Sequence, residues 1–318
     1  MENKKKVKRN SIASVPLFAP TQAKGAGLAL SLNLFVSLAF SLIVLFAFGL
    51  PNEENGYENK DWYLYLSYIL PQLSTFVIAI VYFIWLKKDI KQTVRAQKCH
   101  PKYFLWALLL QIGMFSLAEA NGYFMLFLEK AFGYVVPEPP IPSLNGFGLF
   151  GVIFVIGVLP AIFEELFFRG IILKGLRSFG TIGAILLCGG LFSLYHQNPA
   201  QTIYQFLCGL AFSLIAVRAG SILPTVLAHF VNNTVIILLE KFGVNEFPLP
   251  VYITVICVAA LCLVGSLVYL IGFDKSKWKE QEKTFSPQEN RAERLRFFVC
   301  ASVGIFYCAF TWVLGLLG

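Results

Sequence analysis

The chain has 318 residues, of which 57% are hydrophobic and 14% charged, with a formal net charge of +8. A soluble globular chain carries nearer a quarter charged residues, so this composition and its positive mean hydropathy exclude a soluble domain and predict a polytopic membrane protein. The basic residues cluster just outside apolar stretches, where they set topology and meet anionic lipid, which argues against nucleic acid as a partner.

Residues 1–26 open with Lys4, Lys5, Lys6, Lys8 and Arg9 and continue without periodicity. They read as a disordered, basic cytoplasmic tail. A group of N-terminal transmembrane helices is expected over 27–145. Its first span, Gly27–Leu50, is too long for a signal-peptide core and lacks an obvious small-residue cleavage site, so it is expected to remain in the mature chain. The following loop carries Glu53, Glu54, Glu58 and Asp61 against Lys60. A second span, Trp62–Leu86, leads to a loop with Lys87, Lys88, Lys91, Arg95, Lys98 and Lys102 against Asp89. An acidic loop followed by a basic one places the N-terminus in the cytoplasm. The third span, Tyr103–Leu128, contains Glu119 and Asn121, read as structural or as lying near the outer interface. Pro137 to Pro142 then form an extended outer loop.

A central segment, 146–240, holds spans at Gly146–Leu173, Thr181–Tyr195, Pro199–Val217 and Ile222–Leu239. The C-terminal part, 241–318, adds Val251–Phe273, a basic cytoplasmic linker over Asp274–Arg296, and Phe297–Leu317. The expected fold is therefore all-α, a transmembrane helical bundle of about eight to nine spans. No internal repeat supports an inverted-repeat transporter. Seven cysteines show no C-x-x-C pair, so neither a disulfide frame nor a thiolate metal site is expected.

The fourth span contains P-A-I-F-E-E-L-F-F-R-G, from Pro160 to Gly170. Ionisable groups at membrane depth cost several kcal/mol each, so Glu164, Glu165 and Arg169 together require a reason. Glu165 and Arg169 are four apart and share a helical face, in reach of an ion pair. Glu164 is rotated about 100° away and is left for another task. Downstream, Phe192 and His196 are also four apart. Asn198 before Pro199 reads as an N-cap and a first-turn proline, which sets His196 at a junction between helices. Ser221 caps the next helix in the same way, and His229 and Asn233 lie on one face of it.

Amide hydrolysis needs a base for water, an acid for the leaving amine and donors for the developing oxyanion. A carboxylate in an apolar site with a histidine beside it serves the first two tasks, and a histidine and an asparagine on one face supply the donors. Alternatively Glu164, His196 and His229 could bind zinc with an open fourth position. A lone membrane histidine more often makes an interhelical hydrogen bond, and an isolated Glu–Arg pair serves equally as a clasp. The conjunction on consecutive spans is what favours chemistry.

Three segments together resemble the CPBP family, which comprises type II CAAX prenyl endopeptidases and bacteriocin-processing (ABI) proteins. E-E-x-x-x-R matches Glu164, Glu165 and Arg169; F-x-x-x-H matches Phe192 and His196; H-x-x-x-N matches His229 and Asn233. The resemblance covers residues 147–240. It implies an intramembrane endopeptidase acting on membrane-associated, prenylated or leader peptides. Glu164 and His196 would activate water, His229 and Asn233 would form the oxyanion hole, and Glu165 and Arg169 would support them. This mechanism requires no cofactor, with zinc left open. The rival is a non-catalytic membrane protein, either a bacteriocin-immunity or regulatory partner or a proton-coupled transporter. One tension remains. A straight fourth helix puts Glu164 in its inner half and His196 toward the outside, unless Pro160 breaks the helix or residues 170–180 bend back.

Overall fold

A computed structural model describes residues 22–49, 57, 60–86, 99–137, 140–244, 247–274 and 286–317. All of its elements are helical. Among the described residues, nine helices are long and apolar enough to cross a membrane: α1 (Gln22–Phe48), α2 (Asp61–Trp85), α3 (Lys102–Phe132), α4 (Gly148–Gly175), α5 (Arg177–Tyr195), α6 (Pro199–Ala219), α7 (Leu223–Lys241), α8 (Leu249–Phe273) and α9 (Pro287–Leu317). The chain is an integral membrane protein. Only helices or closed barrels satisfy every backbone group within hydrocarbon, so nine apolar stretches of this length fold as a bundle.

Two bounds differ from the sequence expectation. Helix α1 begins at Gln22, because Ala23, Gly25 and Ala26 are small enough to bury against the bundle. Helix α9 begins at Pro287, so the second half of the expected linker is helical, with Glu293 and Arg296 paired at 2.5 Å and buried. The tail before Gln22, the acidic loop at Glu53, Glu54 and Glu58, the basic loop from Lys87 to Lys98, and 275–285 of the linker lie outside the described residues. All seven cysteines are free.

Helices approach most closely where side chains are small, as membrane packing requires. A Cβ on Gly27 would meet the Phe297 carbonyl oxygen, and one on Gly304 would meet Ser31, so α1 lies along α9. A Cβ on Gly209 would stand 2.8 Å from the Gly189 Cα, which fixes the α5–α6 crossing. One apolar core gathers α1, α2, α4, α5 and α9 around Phe167, Phe168 and Phe192. A second gathers α3, α6, α7 and α8 around Leu110, Phe212 and Leu270. The polar residues of α4 and α7 meet at the seam between them.

Candidate active site

Helix α4 carries two π-helical stretches, Ile153–Val158 and Leu166–Ile172, on either side of the glutamates. Such widened turns shift the register of side chains and often accompany functional sites. Arg169 Nη1 donates to Glu165 Oε1 at 2.8 Å, with both side chains at 0% exposure. The second guanidinium nitrogen, Nη2, donates to the Gly209 carbonyl of α6 at 3.2 Å. The guanidinium carbon lies 4.5 Å from the Phe192 ring centroid and 5.3 Å from that of Phe212, so one aromatic side chain from each core encloses the charge. The expected i,i+4 pair is present.

Glu165 Oε1 also lies 3.0 Å from His229 Nδ1. A carboxylate paired with arginine can only accept, so Nδ1 carries a proton and Nε2 is the nitrogen that faces away from the pair. His229 is buried and its ring stacks on Phe212 at 5.5 Å. Glu165 thus joins two of the three sequence motifs.

Glu164 points elsewhere, as its rotation requires. Its Oε1 accepts from Gln72 Nε2 of α2 at 2.8 Å, and its Oε2 is buried with no hydrogen-bond partner among the described residues. The residue as a whole is 7% exposed. The His196 ring lies 4.7 Å from that of Phe192, which in turn meets Phe168, one turn beyond Glu164, at 5.0 Å. His196 is half-buried in the turn between α5 and α6, with Nδ1 2.8 Å from the Phe192 carbonyl. That carbonyl can only accept, so Nδ1 holds the proton and Nε2 carries a lone pair in the neutral ring. Asn198 caps the following turn through its side chain on Ala200 N, and Ser221 Oγ accepts from Leu223 N, both as expected.

The tension over depth resolves without a break or a re-entrant bend. Helix α4 is continuous through Pro160 to Gly175. Phe168 touches both Phe192 and Tyr195, at 5.0 and 5.3 Å between centroids, so the end of α5 lies level with the turn after Glu164. Phe168 is roughly 10 Å along α4 from its end, whereas Phe192 is roughly 22 Å along α5 from its start. Between them the chain turns through Arg177–Phe179 and the Gly180 corner, where φ is +75°, open to glycine.

Pro160 has a different role. Lacking an N–H, it leaves the Ile156 carbonyl without its i+4 donor. Asn233 Nδ2 of α7 donates to that carbonyl at 2.8 Å. Asn233 Oδ1 accepts from Asn232 Nδ2 at 3.0 Å, and Asn232 Oδ1 accepts from Gln111 Nε2 at 2.7 Å and from the Tyr204 hydroxyl at 2.8 Å. The Asn233 amide is therefore oriented from four helices, with one Nδ2 hydrogen uncommitted.

Among the described residues, no three His, Cys, Asp or Glu side chains are grouped so that they could hold a metal ion. Glu164, His196 and His229 do not converge as a zinc ligand set here. Asn121 clasps the start of α6 through Ala200 O and Tyr204 N, and Glu119 accepts from the exposed Tyr252 hydroxyl at 2.8 Å. Neither touches the Glu–His cluster.

Residues 146–235 match the family model for type II CAAX prenyl endopeptidase Rce1-like proteins. Over these residues the chain is similar to that family. The match spans α4 to most of α7 and agrees with the resemblance carried by the three motifs. At the family level it supports a CAAX-type intramembrane protease. No curated protein and no solved structure matches the chain.

Sequence reasoning missed Gln72, Gln111, Asn232 and Tyr204. The amides carried a signal, since an uncharged polar side chain inside an apolar span also needs a partner. Gln72 follows Pro71 within α2, and Asn232 adjoins Asn233. Tyr204 carried none, because a tyrosine in a membrane helix fits both an apolar and a polar setting.

Proposed function

We propose that the protein is an intramembrane endopeptidase that hydrolyses peptide bonds of membrane-attached substrates, prenylated C-terminal peptides first among them, with Glu164 as the base for water. The observation that carries this reading is the division of labour between adjacent carboxylates. Glu165 is paired through Oε1 with Arg169 and His229, whereas Glu164 accepts from the neutral Gln72 amide, and the Oε2 of each carboxylate is buried without a partner among the described residues. A carboxylate held in an apolar site next to a histidine with a free lone pair suits proton abstraction.

In this mechanism Glu164 Oε2 takes a proton from water, helped by His196 Nε2, and the hydroxide attacks the scissile carbonyl carbon. The oxyanion accepts from the uncommitted Asn233 Nδ2 hydrogen and from His229 Nε2, which donates when the ring carries both protons. The C–N bond then breaks as the carboxyl of Glu164 returns the proton to the leaving amine. Glu165 and Arg169 hold His229 and α4 in register. No step is routed through a metal.

The test is cleavage of a quenched fluorescent prenyl-peptide and a peptide library by purified protein in detergent. Glu164→Ala is expected to lower kcat by at least about 10³-fold, and a zinc chelator is expected to leave wild-type activity intact. Glu164→Ala leaves the buried Gln72 Nε2 without its acceptor, at a cost of about 1–3 kcal/mol, so thermal unfolding of the variant is measured beside its activity to show that it is folded. Cleavage by Glu164→Ala at the wild-type rate would sink the reading.

A further inference from the structure

The Rce1-like match begins at residue 146, yet one contact to Glu164 comes from α2, some seventy residues before it. We propose that Gln72 is a positioning residue for Glu164: its amide holds Oε1 and leaves Oε2 to take the proton from water. This deepens the endopeptidase reading and rests on it.

The polarity of the contact is set by chemistry. An ionised carboxylate only accepts, so the amide must present Nε2, and the flipped amide would set a carbonyl oxygen against a carboxylate oxygen. The hydrogen bond is 2.8 Å long and both residues are buried, Gln72 at 9% exposure. A bond to one oxygen restrains the rotation about χ3 that would otherwise exchange the two. Water entering the site then meets one defined acceptor.

Gln72 is itself anchored. Pro71, inside α2, has its carbonyl taken by the hydroxyls of Ser74 and Thr75 at 2.7 and 3.0 Å. Ser74 Oγ also lies 2.7 Å from Asn33 Oδ1 of α1, and Asn33 Nδ2 donates to the Tyr195 hydroxyl at 2.7 Å. Thr75 Oγ1 lies 3.2 Å from the same hydroxyl. Tyr195 immediately precedes His196. One buried network thus ties the backbone that carries Gln72 to the backbone that carries His196.

A packing role alone fits poorly. Gln72 Oε1 is buried without a partner among the described residues. A buried amide with one unmet atom is less favourable than a hydrocarbon of equal size, so stability would favour leucine or methionine there.

The experiment is steady-state kinetics on the full chain with the prenyl-peptide, comparing wild type, Glu164→Ala, Gln72→Met and Gln72→Glu. Gln72→Met keeps length and volume without a donor; kcat is expected to fall about 10- to 100-fold with KM within about twofold. Gln72→Glu sets two carboxyls face to face, which share one proton so that either can donate to the other. It is expected to retain more kcat than Gln72→Met at mildly acidic pH and to lose it at lower pH than wild type and Gln72→Met, whose alkaline limb is set by His229 alone. The inference is overturned if Gln72→Met keeps wild-type kcat, if only KM moves, or if Gln72→Glu follows Gln72→Met at every pH. Should Gln72→Met not fold, the Gln72→Glu profile decides against wild type, and an alkaline limb no lower in pH than that of wild type overturns the inference. Inert wild type or active Glu164→Ala refutes the endopeptidase reading instead.

Discussion

Replacing Arg169 with methionine tests whether the buried cluster is organised as described. The substitution keeps a long apolar side chain between Phe192 and Phe212 and removes the guanidinium. Glu165 is then left at 0% exposure with His229 as its remaining partner, and the Gly209 carbonyl loses its donor. An exposed i,i+4 pair would be worth about 0.3–0.5 kcal/mol. Breaking a fully buried pair strands a charge and costs about 3–5 kcal/mol. At roughly 2–4 °C per kcal/mol for a chain of this order of size, the thermal midpoint should fall by roughly 6–20 °C. Thermal unfolding of the purified protein in detergent, followed by circular dichroism, reads this directly. The double variant Glu165→Gln with Arg169→Met removes the stranded charge and keeps an acceptor for His229 Nδ1, so it should recover more than half of the loss. A single variant within about 2 °C of wild type, or a double variant no more stable than the single, would refute the reasoning.

Other perturbations follow from the same geometry. Gly209→Ala places a methyl group 2.8 Å from the Gly189 Cα; it should force α5 from α6, cost about 1–3 kcal/mol in thermal unfolding and lower cleavage by displacing the carbonyl that Arg169 uses. Asn232→Leu removes the donor that orients the Asn233 amide, and kcat for the prenyl-peptide should fall about 10-fold with KM little changed. Tyr252→Phe breaks an exposed contact to Glu119 away from the Glu–His cluster; stability should stay within about 0.5 kcal/mol and cleavage should match wild type.

Much of this protein was legible in its sequence where the determining interactions are local. The nine spans follow from hydropathy because each helix closes its own backbone hydrogen bonds. The Glu165–Arg169 pair follows from a four-residue spacing within one helix, and Asn198 and Ser221 announce helix starts through their own side chains. The start of α1 was misjudged because Lys24 and the glycines around it look like tail, although small residues are what let that segment pack.

What the sequence by itself determined was the class of fold, the order of the motifs and the pairing of side chains one helical turn apart. Only the tertiary structure decided that His229 joins the Glu165–Arg169 pair. It also decided that Asn233 takes the carbonyl freed by Pro160, that Gly209 receives Arg169, and that Gln72 orients Glu164. The physical reason is distance along the chain. These partners lie 77, 40 and 92 residues apart, on different helices. Their meeting depends on how the helices pack, as in the close α5–α6 crossing at two glycines, which no residue spacing encodes.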